Sequence, residues 1–229
     1  MAATTPRTPY FAFGSNLWQH QMALRCPSSP FTGLGRLKGW KWFINARGYA
    51  NIAPCEDCEP KSSGGGNGGG GGGGGGGDCG EGGGGGEGGE RHEVWGLVYE
   101  LSSEDEARLD VNEGVPFAYE KRTVPVEFWP VDALEGPRAG GVKALDDGAA
   151  VVDGAGKVVQ AKVVDMLVYV DFKRCVGGHL PRREYVVRMN RGIEDALREG
   201  VPRRYVDSVL RRWVPAEGEE REDGALKGY

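Results

Sequence analysis

The sequence predicts an α+β fold, on three observations. Short apolar and aromatic runs bounded by turn residues recur between Tyr10 and Phe172, as strands do. Two segments after Arg182 instead space their apolar residues as helices. And 21 of the 41 glycines fall between Ser62 and Glu90, so the rest of the 229-residue chain has an ordinary globular composition. We read one folded domain over residues 9–215, interrupted by a flexible Gly-rich insert at 55–91 and a second excursion at 131–161, with an acidic tail at 216–229.

Tyr10-Phe11-Ala12-Phe13 reads as a short buried strand, ended by Gly14-Ser15-Asn16, a turn residue followed by two N-cap candidates. Leu17 to Arg25 then reads as a helix stopped by Pro27. Such a junction suits chemistry: glycine lets backbone come close to a ligand, and first-turn amides without internal partners can face a carboxylate or a developing oxyanion. Trp40 to Asn45 and Tyr49 to Ala53 are two strands about an Arg47-Gly48 turn. Gly33, Gly35 and Gly39 complete no G-x-G-x-x-G pattern, which excludes a dinucleotide cofactor.

Val94 to Leu101 is the next strand. Ser102-Ser103-Glu104-Asp105-Glu106 is a cap and an acidic first turn for a helix through Ala107, Leu109 and Val111, which runs into Asn112-Glu113-Gly114. Tyr119 to Trp129 is a strand in which Pro125 marks an edge or a bulge, and Val163 to Phe172 is another. A helix over 182–199 places Val186, Asn190, Ile193 and Leu197 on one side. Pro202, as an N1 proline, opens a last helix with Tyr205, Val206, Val209, Leu210 and Trp213 inward.

A net charge of −5 and a pI near 5.4 argue against a nucleic-acid binder. The 11 Lys and Arg against five Asp and Glu between Lys173 and Trp213 form a solvated face whose field favours small anions. With no apolar run of roughly 20 residues and no apolar stretch near the N-terminus, we expect no membrane partner and a cytoplasmic protein. Five cysteines are no disulfide framework. Cys55-x2-Cys58 with Cys79 and His92 spells a Cys3His set, but polyglycine would have to be ordered to hold the third ligand, so no metal is expected.

Three runs taken together, Tyr10-Phe11-Ala12-Phe13-Gly14-Ser15-Asn16-Leu17, Val94-Trp95-Gly96-Leu97-Val98-Tyr99 and Leu109-Asp110-Val111-Asn112-Glu113-Gly114-Val115, resemble the gamma-glutamylcyclotransferase family in content and order. The resemblance extends from Pro9 to Pro215. It implies a compact mixed β-barrel flanked by helices, conversion of a γ-glutamyl amino acid into 5-oxoproline and a free amino acid, and no cofactor. It places the catalytic glutamate at Glu113, the substrate-cradling loop at Tyr10, Phe11, Ala12, Phe13, Gly14 and Ser15, and a substrate-contacting tyrosine at Tyr185. Phe13 departs from the tyrosine usual in the family and lacks its hydroxyl.

The chemistry also follows from the substrate. A γ-glutamyl group carries its own nucleophile, the α-amine, placed to close a five-membered ring on the γ-carbonyl, and oriented intramolecular attack supplies ~7–11 kcal/mol. One carboxyl of raised pKa can take the ammonium proton and return it to the leaving amine, the task given to Glu113, while main-chain amides near Gly14 and Ser15 face the developing oxyanion. Related readings are a cyclotransferase for γ-glutamylamines or glutathione, or a non-catalytic module that binds a small anion. A serine hydrolase is disfavoured: no G-x-S-x-G elbow is present, and His20, His92 and His179 sit in unrelated contexts.

Overall fold

The computed structural model describes residues 6–55, 92–131, 143–146 and 148–218. Cys58, Cys79 and the Gly-rich insert beyond Cys55, part of the 131–161 excursion, and the tail from 219 lie outside the described residues.

Five strands close into a barrel in the order β1 (Thr8–Ala12), β5 (Glu93–Leu101), β2 (Phe31–Lys38), β6 (Glu120–Pro130) and β9 (Lys162–Val170). Neighbours are antiparallel except at the closure, where β1 meets β9 in parallel at Tyr10 and Leu167. Closure leaves no open sheet edge. β3 (Trp40–Ile44) and β4 (Ala50–Pro54) form a separate hairpin about the expected turn, and β7 (Lys143–Ala144) with β8 (Val151–Val152) forms a small one inside the second excursion.

The strand that sequence patterning passes over is β2. Its glycines lower strand propensity, yet packing requires them. Gly35 of β2 pairs with Gly96 of β5, and the ring of Phe11 lies over both: a Cβ at Gly35 would stand 2.7 Å from Phe11 Cδ2, and one at Gly96 would stand 2.2 Å from the Ala12 carbonyl oxygen. Phe11 is fully buried, as are Leu34, Trp95, Leu97 and Tyr99. Trp95 and Trp129 stack on each other with centroids 5.5 Å apart, and the Arg36 guanidinium lies against both rings, paired with Glu127. Pro125 sits in the half of β6 that pairs with β9 alone, beyond the reach of β2, so its missing N–H costs the β2–β6 ladder nothing.

Helical boundaries follow their caps. The first helix begins later than its sequence suggests: Ser15–Leu17 is a single 3-10 turn and α1 spans Gln19–Arg25. Neither Ser15 nor Asn16 caps it. The cap comes from another element, Asp195, whose Oδ2 accepts from the Gln19 amide at 2.8 Å. α2 (Ser103–Glu113) starts as expected, Ser102 Oγ accepting from the Asp105 amide at 3.2 Å, and stops at Gly114 in the left-handed region (φ 67°).

α3 spans Arg183–Arg198, and its buried face is shifted in part from the expected one: Asn190 and Ile193 are buried as expected, together with Tyr185, Met189 and Ala196, whereas Val186 and Leu197 are only partly covered. Pro202 is the N-cap of the last segment rather than its first helical residue. That segment passes from a helical turn at Arg203–Tyr205 into a wider π turn at Val206–Leu210, which buries Tyr205, Val206 and Leu210 and leaves Val209 and Trp213 half-covered. No helix among the described residues is long and apolar enough to cross a membrane.

Candidate active site

A cavity of about 250 Å³ opens where the end of β1, the 3-10 turn, the C-terminus of α2, the β3–β4 turn and the start of α3 converge. Tyr10, Phe13, Gly14, Ser15, Glu113 and Tyr185 line it. Phe11 and Ala12, two of the expected cradle residues, are not in its wall. They are fully buried, and Phe11 fills the barrel interior described above. Alternation along β1 explains Phe11, which points to the face opposite Tyr10, but not Ala12, which shares the Tyr10 face and ends the strand.

Glu113 is carried to the cavity by α2, whose position is fixed at both ends. Asp105 Oδ2 accepts from the Ser28 amide (2.8 Å) and the Ser29 hydroxyl (2.7 Å), and Asp110 accepts from Lys121 (3.1 Å) and Tyr169 (2.7 Å). The carboxyl itself is only 17% exposed. Burial raises its pKa above the ordinary carboxylate value, against the lowering influence of Arg25, the Asn16 hydrogen bond, Arg188 and Arg47. The C-terminal end of a helix, with its negative partial charge, is also a poor place for an anion.

Asn16, expected only as an N-cap candidate, instead belongs to the site. Its Nδ2 donates to Glu113 Oε1 (3.1 Å) and to Tyr10 Oη (2.8 Å). Its Oδ1 accepts from Gln21 Nε2 (2.8 Å) and an Arg25 nitrogen (2.9 Å). Because a guanidinium can only donate, the oxygen of Asn16 must face Arg25 and its NH2 must face Glu113. Gln21 and Arg25 stand four apart on α1, so one helical face supplies both.

Tyr185 meets the turn from α3. Its hydroxyl oxygen accepts from the backbone amides of Ser15 and Ala50, each at 3.2 Å. This corrects the expectation of a free main-chain donor at Ser15: that amide is engaged by a side chain. Gly14 has the same explanation, since a Cβ there would stand 3.0 Å from Tyr185 Oη and 3.3 Å from Ala50 Cβ, so the glycine makes room for protein rather than for a ligand. With both acceptor positions filled, what Tyr185 has left to offer the cavity is its proton. Burial raises its pKa and keeps that proton in place.

Ser15 Oγ is likewise held from outside, accepting from Gln21 Nε2 (3.1 Å) and an Arg188 nitrogen (3.3 Å). Arg188 lies over the Tyr185 ring and Arg47 over Tyr119, and with Arg25 they bring three guanidiniums to the cavity wall. Phe13 is part of the wall, and its carbonyl accepts from Trp42 Nε1 at 3.0 Å. Asn16, Arg25, Arg47 and Arg188 escape motif reading because only the tertiary fold brings them to Glu113.

No group of three or more His, Cys, Asp or Glu among the described residues is placed to hold a metal. His20 and His179 are exposed, and His92 lies in a second cavity with Arg36, Lys38 and Glu93.

Residues 86–139 match the family model of gamma-glutamyl cyclotransferase, AIG2-like. No curated protein matches the sequence. Among solved structures, an uncharacterised protein from Homo sapiens shares the fold at a TM-score of 0.52 and 20% identity, covering 96% of this chain and 92% of that one. One described as gamma-glutamyl cyclotransferase is similar at a TM-score of 0.50 and 18% identity, with the same coverage. At these identities the likeness is one of fold.

Proposed function

We propose that this chain is a member of the AIG2-like gamma-glutamyl cyclotransferase family, whose model matches residues 86–139, and that it is an enzyme releasing 5-oxoproline from γ-glutamyl amino acids. The observation that carries the reading is Glu113: a carboxyl of raised pKa, nearly enclosed, bonded by Asn16 beside the first glycine turn. A general base for an ammonium proton near neutral pH needs that environment.

The proposed sequence of events uses this chain's own groups. The substrate's α-carboxylate pairs with the cavity guanidiniums, and its α-ammonium faces Glu113. Glu113 takes one ammonium proton, and the amine attacks the γ-carbonyl carbon. The oxygen that gains charge accepts from the Tyr185 hydroxyl, whose O–H is polarised by the two amides donating to it. As the C–N bond breaks, Glu113 returns that proton to the leaving nitrogen and then relays the second proton still held by the ring nitrogen, which leaves 5-oxoproline with one N–H and the amino acid as its ammonium. No external oxidant, reductant or metal enters this balance.

The cavity, at about 250 Å³, is at the small end of ligand sites, in keeping with a substrate of dipeptide size. The three arginines favour a leaving group that carries a carboxylate over an uncharged amine. Incubation of the protein with γ-glutamyl-alanine, a γ-glutamyl-ε-lysine amide and glutathione, with 5-oxoproline quantified, tests the reading. Turnover fastest on γ-glutamyl-alanine supports it; preference for either other substrate moves the assignment to that class; ligand-induced stabilisation without product with any of them replaces the enzyme by a binding module.

A further inference from the structure

We propose that Arg25 is a positioning residue for Glu113: acting through the Asn16 amide and by its own charge, it fixes where the carboxylate sits and the pH at which it becomes a base. The inference rests on the cyclotransferase reading for its kinetic consequence, but not for its structural content.

Two distances define the arrangement. An Arg25 nitrogen donates to Asn16 Oδ1 at 2.9 Å, and the same nitrogen stands 3.6 Å from Glu113 Oε1, close enough for Coulomb attraction but too far for a hydrogen bond. Glu113 is therefore bonded to Asn16 and only attracted to Arg25. This separation matters for a shuttle. A direct bidentate pair with arginine would hold a carboxylate too firmly ionised to return a proton, whereas an unpaired buried carboxyl would stay protonated and take none.

The orientation has one source. Asn16 could turn its amide either way; a donor that can never accept, placed at Oδ1, removes the choice and aims the NH2 at Glu113 and Tyr10. Gln21 reinforces it, since Arg188 stands 3.5 Å from Gln21 Oε1 and leaves Gln21 Nε2 to face Ser15 and Asn16. Two arginines thus fix the direction of a chain of side-chain amides that ends on the carboxylate.

The other groups facing Glu113 are known. Arg47 comes from the β3–β4 turn and Arg188 from α3; the phenols of Tyr10, Tyr119, Tyr169 and Tyr185 come from β1, the start of β6, β9 and α3; Cys26 adjoins Arg25. Burial raises all four phenols and pushes the Cys26 thiol up to about 12, so none of these changes charge between pH 5 and 9. A titration seen in that range and abolished by E113Q belongs to Glu113.

The test compares full-length wild type, R25M, R25Q and R25K in two ways: the 13C NMR titration of the Glu113 carboxyl without substrate, assigned by its loss in E113Q, and the pH profile of kcat/KM on γ-glutamyl-alanine. R25M and R25Q should both move the Glu113 midpoint to higher pH, with about tenfold or greater loss of kcat/KM on the acid side and a smaller loss on the alkaline side. R25K should bring the midpoint back toward wild type. Two neutral variants guard against one failing to fold. An unmoved midpoint in a folded neutral variant, or one that lysine fails to restore, overturns the proposal. Absence of turnover in every variant including wild type would instead count against the cyclotransferase reading, and the titration would still decide the role of Arg25.

Discussion

The hydroxyl oxygen of Tyr185 accepts the backbone N–H of Ser15 at 3.2 Å, across 170 residues of sequence, and so binds the start of α3 to the turn after β1. The Ala50 amide donates to the same oxygen. One tyrosine therefore ties the β1 turn to β4, and both amides are buried away from water.

Tyr185→Phe should accordingly lose stability, not only activity. Removing an acceptor from a buried donor costs about 1–3 kcal/mol. Chemical denaturation should show an unfolding free energy lowered by at least that amount, with kcat on a γ-glutamyl substrate reduced in the same variant. Unchanged stability would mean the two amides find other acceptors.

Glu113→Gln should fold and gain stability at neutral pH. The sign follows from the direction of the shift. Burial raises the folded-state pKa above the unfolded value near 4.5, so between the two the folded protein holds more protons than the unfolded chain. Stability contributed by this site is full below the unfolded value and falls as pH rises through the folded one. The gain from glutamine should thus be largest above the folded pKa and vanish at low pH; thermal unfolding at several pH values checks this.

Much of the barrel is legible in the sequence because local rules and tertiary demand agree there. β5 is a run of apolar residues between turn signals, the β3–β4 hairpin turns at Arg47-Gly48, and α2 carries a serine cap and a left-handed glycine stop. β2 is illegible because Gly33 and Gly35 argue against a strand locally, while the Trp129 carbonyl and the Phe11 ring forbid anything larger. The site divides in the same way. Glu113 and the Gly14 turn are sequence motifs, whereas Asn16 finds Glu113 across 97 residues and Arg188 finds Ser15 across 173. No local pattern carries such pairings.

The Gly35–Gly96 pair offers a test of the fold apart from chemistry. Gly96→Ala should be strongly destabilising, by about 1–3 kcal/mol or more, since its Cβ would meet the Ala12 carbonyl oxygen at 2.2 Å and the Phe11 ring at 2.8 Å. Denaturant unfolding measures it. A neutral effect would contradict the close approach of β1 to β5.

Gly14→Ala should disturb the site, because φ −109° with ψ −143° lies outside the main regions open to a residue with a Cβ. The added methyl meets Tyr185 Oη at 3.0 Å, so the tyrosine must give way. Loss of turnover with a lowered melting temperature is expected, and retained wild-type kcat/KM would show that the hydroxyl position is not critical.

The most direct measurement of the central claim is single-turnover release of 5-oxoproline from γ-glutamyl-alanine by wild type and E113Q, each shown to be folded. Product from the wild type and a loss of about 10²–10⁴-fold in the variant are expected. Comparable rates in both would contradict Glu113 as the group that moves the proton.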